Sequence, residues 1–128
     1  MKQALLLCAT LTFAAASPHA AALSPDAIRT LLTDAPRWTV DWRLAATGER
    51  FAAQVMFATR DGQLYARTWH PDGRTCYPEI AVPLLANGFL FFGCTGVPKE
   101  MHYDPADAGA PFKGRAFGYA FRWTPAAQ

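Results

Sequence analysis

The strongest structural constraint in the sequence is the Asp61-Gly62 pair, which separates two runs of alternating apolar and polar residues. Between such runs, an Asp-Gly pair is typical of a two-residue β-hairpin turn in which both residues take a positive φ. The turn fixes the register, so residues 54–60 are expected to pair in reverse order with residues 63–69. One face of the second strand then carries Tyr65, Arg67 and Trp69.

Further strands are predicted on both sides of this hairpin. Residues 38–44 alternate apolar with polar side chains, and Asn87-Gly88 marks a second tight hairpin before a wholly apolar strand, 89–92. The fold class that follows is mainly β: a small antiparallel meander of about six strands with one N-terminal helix. We expect the meander to form a barrel or a strongly curved sheet.

The N-terminal helix is indicated by Ser24, a good N-cap, and by Pro25 at the first turn, and Pro36 ends it. A helix of about ten residues is not stable alone, so it must pack on the sheet. We expect it to lie on the last strand, 112–123. One side of that strand carries a row of small residues, Gly114, Ala116, Gly118 and Ala120, which would let another layer approach closely.

The opposite side of the last strand combines aromatic and basic residues. If 112–123 is one continuous strand, a single face carries Lys113, Arg115, Phe117, Tyr119, Phe121 and Trp123. Before it, residues 96–110 have a polar composition with two prolines and two glycines, which predicts a long loop. Loops of that length often carry function.

Residues 1–22 have the features of a secretory signal peptide. A lysine precedes the apolar run 4–16, and Ala20 and Ala22 supply the small residues that cleavage after Ala22 requires. The mature protein is then a single β domain, residues 23–128. We expect it in the periplasm of a bacterium or secreted outside the cell.

Cleavage leaves two cysteines, Cys76 and Cys94, which in an oxidising compartment most simply form one disulfide. An unbroken hairpin about residues 87–88 would hold them about 16 Å apart, too far for a bond. The disulfide therefore requires a bend at Pro78 and Pro83, and the alternative is two buried free thiols. The spacing lacks the C-x2-C pattern of structural zinc, so we expect no metal.

Charge and motifs exclude several functions. The formal net charge of +2 indicates neither a dedicated nucleic-acid binder nor a polybasic membrane anchor, and no apolar run in residues 23–128 is long enough to span a membrane. No phosphate-binding glycine motif is present, and we expect no cofactor. Ser24 is the only serine of this region and already caps a helix. We therefore expect no enzyme, although Glu100, His102 and Asp104 are polar neighbours.

The segment 23–32 before the first strand, the Asp61-Gly62 and Asp72-Gly73 turns and the tryptophan-bearing first strand together resemble small exported bacterial proteins of the lipocalin-like kind. The resemblance covers the order of elements and implies a β-meander able to hold a ligand. Lipocalins have eight strands and a Gly-x-Trp signature. Here about six strands are predicted and neither Trp38 nor Trp42 has that glycine, so the resemblance implies no particular ligand.

The two aromatic and basic faces lead to the functional hypotheses. Facing a barrel interior, they would bind a small, partly apolar or anionic ligand, which predicts an exported, non-enzymatic binding module. The alternative is a protein-contact module, such as an inhibitor or envelope accessory protein, acting through an exposed aromatic patch or residues 96–110. A third interpretation is that the aromatic residues belong to the hydrophobic core and that the arginines extend their charged groups into water. The candidate ligand-binding residues are Tyr65, Arg67, Trp69, Arg115, Tyr119 and Trp123.

Overall fold

In a computed structural model of the protein, residues 22–126 are described and form one helix and nine β-strands. The predicted signal peptide, residues 1–22, lies outside the described residues apart from Ala22. The helix α1 spans Pro25–Asp34. The strands are β1 Trp38–Leu44, β2 Arg50–Arg60, β3 Gln63–Trp69, β4 Thr75–Ala81, β5 Leu84–Leu85, β6 Gly88–Phe91, β7 Lys99–Tyr103, β8 Phe112–Ala116 and β9 Tyr119–Pro125.

All nine strands of the described region form one antiparallel sheet in the order β4-β3-β2-β1-β9-β8-β7-β6-β5. The sheet is strongly curled into a half-barrel, which confirms the predicted fold class. The predicted number of six strands is too low. Residues 75–85 hold two strands instead of one, 96–110 include a strand, and 112–123 hold two.

The hairpin about Asp61-Gly62 forms as predicted. Both residues have positive φ, 51° and 79°, and residues 54–60 pair with 63–69 in the expected register. The Asn87-Gly88 hairpin exists but is displaced by one residue, because Leu85 pairs with Gly88. Gly88 lies within β6, and a Cβ there would collide with the backbone carbonyl of Met101 on β7. That glycine therefore permits close strand contact rather than forming the turn.

The continuous last strand is a wrong prediction. Phe117 and Gly118 both have positive φ, 53° and 81°, and form a tight turn that folds β9 back onto β8. Ala116 consequently pairs with Tyr119, and Arg115 pairs with Ala120. The turn changes the faces, because Arg115 now lies on the outer side of the sheet while Tyr119 lies on the inner side.

Residues 96–110 do not form one long loop. Their middle part is β7, which lies between β6 and β8, and Met101 at its centre is fully buried. The alternation of Lys99, Met101 and Tyr103 with two polar residues is too short to stand out among the surrounding prolines and glycines. The two remaining loop pieces, 92–98 and 104–111, lie on either side of this strand.

Helix α1 closes one end of the half-barrel. The Ser24 hydroxyl caps it by accepting from the Ala27 amide at 3.2 Å, and its apolar stripe buries Ile28 and Leu32 completely. The helix packs on β2, β5 and β6, so the predicted contact with the small residues of the last strand is wrong. The space beside one of those residues is filled by Met101, whose Sδ lies 2.7 Å from a Cβ built on Gly114.

The Cys76–Cys94 disulfide is present, with the two Cα atoms 4.9 Å apart. Cys76 belongs to β4, at one edge of the sheet, while Cys94 follows β6 near the opposite edge. The predicted bend is found: β4 ends before Pro83, and the pairing of β3 with β4 is irregular around Pro78. The bond therefore links edge strand β4 to the loop after β6, near the opposite edge of the curled sheet.

Candidate functional site

Aromatic side chains cover the inner face of the half-barrel from one end to the other. At the helical end the Trp38 indole donates to the Leu32 carbonyl at 2.9 Å, and helix α1 seals the core. Toward the other end, Trp42 on β1 lies directly opposite Phe51 on β2 and Phe121 on β9. The three rings are stacked, with centroids 6.0 and 5.6 Å apart. The rings at this second end are not all buried.

The second end forms an open cleft, which we call the aromatic cleft. Its volume is about 380 Å³. Three apolar side chains at its rim reach solvent, with exposed fractions of 38% for Phe51, 42% for Val97 and 73% for Phe117. Such grouped exposure is unusual outside binding surfaces. The lining residues are Trp42, Phe51, Phe91, Gly93, Cys94, Thr95, Val97, Lys99, Phe117, Tyr119 and Phe121.

Lys99 is the only charged residue in the lining of the aromatic cleft. Its Nζ donates to the carbonyls of Val97 and Phe92, at 2.6 and 3.3 Å, and lies 5.7 Å from the Phe91 ring centroid. Within residues 22–126 it forms no ion pair with a carboxylate. Partial burial lowers the Lys99 pKa, and no neighbouring negative charge opposes this shift.

The wall of the cleft next to Lys99 is a tight turn, residues 92–96, which is fixed by two glycines, a hydrogen bond and the disulfide. Gly93 and Gly96 have positive φ, 60° and 78°, which few other residues adopt without strain. The Thr95 hydroxyl accepts from the Val97 amide at 3.2 Å, and the disulfide anchors Cys94 to β4. These contacts fix the lysine against the rings instead of leaving it to extend into solvent.

The structure does not gather the predicted site residues into one site. Tyr65, Arg67 and Trp69 share the outer face of β3, where the Arg67 guanidinium lies 5.3 Å from the Trp69 ring centroid. Arg115 lies on the outer face of β8. On the inner side Tyr119 lines the aromatic cleft.

Trp123, the sixth predicted residue, is fully buried in the core, and its indole lies 3.1 Å from the Met101 sulfur. The common aromatic and arginine face depended on a continuous strand, which the turn at Phe117 removes. The cleft residues that the predicted ligand-binding set did not include are chiefly Trp42, Phe51 and Lys99. Alternation placed the two rings on the apolar face, but that pattern could not indicate which end of the face stays open.

The polar residues considered for catalysis are dispersed in the structure. Ser24 caps the helix, and the exposed Glu100 and His102 form a pair at 3.1 Å. His70 lies beside the disulfide, with its ring nitrogen and both Sγ atoms within 4.8 Å of one another. Both sulfurs are used by the disulfide, so this trio is not a ligand set in the oxidised protein. Asp104 forms an ion pair with Lys113.

Lys113 forms ion pairs with both carboxylates of loop 104–111. Its Nζ lies 2.9 Å from Asp104 Oδ2 and 2.8 Å from Asp107 Oδ2. Hydrogen bonding to this ammonium lowers the pKa of both acids. Their contribution to stability is therefore present above the unfolded value of about 3.9 and is lost as pH falls through the lower folded values.

We expect Lys113→Gln to reduce the loss of stability between pH 6 and pH 2.5, because the variant lacks the ammonium that keeps these acids ionised. Urea unfolding of both proteins at each pH measures the difference. Arg37→Gln, which removes an exposed cation that takes part in no ion pair among residues 22–126, is the control and should leave the pH dependence unchanged. An unchanged pH dependence in Lys113→Gln would show that the loop pair does not couple to folding.

In comparisons with known proteins, no family model, no curated protein and no solved structure matches this chain. Within residues 22–126, the one helix is too short and too polar to cross a membrane. The lipocalin-like resemblance stays a prediction.

Proposed function

We propose that the aromatic cleft binds a small amphiphile with an apolar chain and one anionic group. The protein would act as an exported, non-enzymatic binding module, in the bacterial periplasm or outside the cell. The observation that carries this proposal is the position of Lys99, a partly desolvated cation beside apolar walls and without a carboxylate partner among the described residues. An anionic group entering the cleft would supply the missing charge.

The size and composition of the cleft agree with such a ligand. Ligand sites in proteins typically range from about 300 to 1,000 Å³ and combine apolar walls with a few polar groups. The volume here, about 380 Å³, lies near the lower limit, which favours a single chain over a bulky ring system. The disulfide supports an oxidising compartment, and the predicted signal peptide agrees with export.

Binding of saturated carboxylates should strengthen with chain length. Burying one methylene contributes about 0.8 kcal/mol, so affinity is expected to rise about fourfold per carbon from octanoate upward until the cleft is full. Calorimetric titration of the folded protein measures this series. An affinity independent of chain length would contradict binding in an apolar cleft.

Two variants locate the ligand within the cleft. Lys99→Met should weaken decanoate binding about tenfold but leave decan-1-ol within twofold, because only the charged head loses its partner. Phe117→Ser should weaken both ligands, since the ring is part of the wall. Met56→Ser is the matched control: it removes an exposed apolar side chain, 40% accessible, from the outer face of β2. Equal losses in Met56→Ser and Phe117→Ser would contradict the assignment.

A protein-contact role is the second candidate, and the exposure of Phe117 favours it. The ring stands at the tip of the β8–β9 turn with 73% of its surface accessible, and the half-exposed Val97 lines the same cleft. In that case an apolar side chain of a partner would occupy the cleft. The two candidates differ in the titration, because only the first requires that decanoate bind the isolated protein.

A further inference from the structure

The outer face of the sheet carries two rows of residues across strands β2, β1, β9 and β8. The pairing registers place the rows side by side and give the order in each. The first row reads Arg50, Arg43, Ala120 and Arg115. The second row reads Ala52, Asp41, Arg122 and Lys113. Five of these eight side chains are cationic, and only one is acidic.

The arginines of these rows have little local compensation. Among residues 22–126, none of Arg43, Arg50, Arg115 and Arg122 takes part in an ion pair. Asp41 is the register neighbour of Arg122. Asp104 and Asp107 in the adjoining loop form ion pairs with Lys113. Lys113 has the largest part in lowering the Asp107 pKa, and the charge of Arg122 has the smallest. Glu100 on β7 is paired with His102.

Arg43 and Arg50 lie directly opposite each other in neighbouring strands. Like charges in that position disfavour the folded sheet, so the pair is not explained by the stability of the fold. Two small residues, Ala52 and Ala120, stand beside the long arginine side chains. They line a depression of about 780 Å³. Its charged lining residues are Arg43, Arg50, Lys113, Arg122 and the single acid Asp41, which leaves an excess of positive charge.

We propose that this depression binds a phosphorylated anion. Guanidinium groups match phosphate oxygens with paired hydrogen bonds, and several neighbouring guanidinium groups are best satisfied by a ligand that carries more than one negative charge. A diphosphate or a phosphomonoester meets that requirement, whereas a single carboxylate does not. The site lies on the face of the sheet opposite the aromatic cleft and does not depend on the function proposed for the cleft.

Inorganic pyrophosphate is the first probe, titrated calorimetrically into the full mature protein at low and at physiological salt. The Arg43→Gln/Arg50→Gln variant is expected to lose at least tenfold in affinity, while folding is retained or strengthened because a repulsive pair is removed. The matched control is Arg37→Gln/Arg74→Gln, which changes the net charge equally at exposed sites outside the depression. The control should remain within twofold of the natural protein.

A second arm distinguishes the source of the phosphate. Vesicles of neutral phosphatidylcholine with one-fifth phosphatidic acid are compared with vesicles of phosphatidylcholine alone, using sedimentation. Pyrophosphate binding without vesicle binding would support a free phosphorylated ligand, and arginine-dependent binding to the phosphatidic acid vesicles would support a lipid headgroup. Binding in neither arm would overturn the proposal. Equal losses in the two double variants would also overturn it, because net charge alone would then explain the binding.

Discussion

Replacing Trp123 by alanine is expected to lower the free energy of unfolding by about 3–5 kcal/mol, the usual loss for a buried large aromatic residue. The side chain is fully buried and contacts four aromatic rings from three other strands. Its centroid lies 4.8 Å from Phe91, 5.1 Å from Phe89, 6.1 Å from Phe57 and 6.4 Å from Trp38. Removing it leaves a cavity in the centre of the half-barrel. Urea unfolding followed by circular dichroism measures the loss.

Trp69→Ala is the control for this prediction, since that ring lies on the outer face of β3 and is half-buried. We expect it to lose less than about 1 kcal/mol, as is common for side chains away from the core. A small effect of Trp123→Ala, equal to that of Trp69→Ala, would contradict a core position. It would return Trp123 to the ligand-binding face that the sequence predicted.

The second large effect is expected from the Cys76→Ser/Cys94→Ser variant. The bond closes a sequence separation of 18 residues, which corresponds to about 3 kcal/mol in the chain-entropy model. The bond is also a covalent link between β4 and the turn at 92–96, so its loss should make that turn more mobile relative to β4. We expect a lower unfolding midpoint together with faster amide exchange in that turn.

The same variant provides a test of the aromatic cleft. Cys94 lines the cleft, so a loosened turn should weaken decanoate binding even where the protein is still folded. Reduction of the natural protein with a phosphine should reproduce both effects, which separates loss of the bond from the effect of the serine side chains. Unchanged stability after reduction would contradict a structural role for the bond.

The elements best predicted from the sequence have a local cause. Asp61 and Gly62 accept positive φ, so their hairpin and its register could be predicted from two residues and the alternation around them. Ser24 defines the start of the helix for a similarly local reason. The two cysteines of residues 23–128 left one possible intramolecular pairing, and the distance argument correctly required a bend before β5.

The elements that were missed depend on contacts between distant residues. Phenylalanine seldom adopts positive φ, so nothing at Phe117 signalled a turn, and Gly118 matched the small-residue side of a strand equally well. That error assigned Arg115 and Tyr119 to one face, although they lie on opposite faces. The position of Lys99 in the aromatic cleft depends on the preceding turn, which is shaped by the disulfide and by Gly93 and Gly96. No local sequence pattern indicates that position.

The two faces of the sheet therefore differ in chemistry. The inner face is apolar and ends in the aromatic cleft, where one desolvated cation lies. The outer face beside it carries a depression lined by arginines that take part in no ion pair among residues 22–126. Neighbouring residues such as Trp42 and Arg43 belong to different faces because side chains alternate along β1.

The four tryptophans offer the most direct test of the central proposal, that the aromatic cleft binds an anionic amphiphile. Each has a separate environment: Trp42 lines the cleft, Trp69 lies on the outer face, and Trp38 and Trp123 are buried in the core. Decanoate should be titrated into the ¹⁵N-labelled protein while the indole N–H signals are recorded. We expect the Trp42 signal to move most and the Trp69 signal to stay unchanged. An unmoved Trp42, or a larger shift of Trp69, would contradict it.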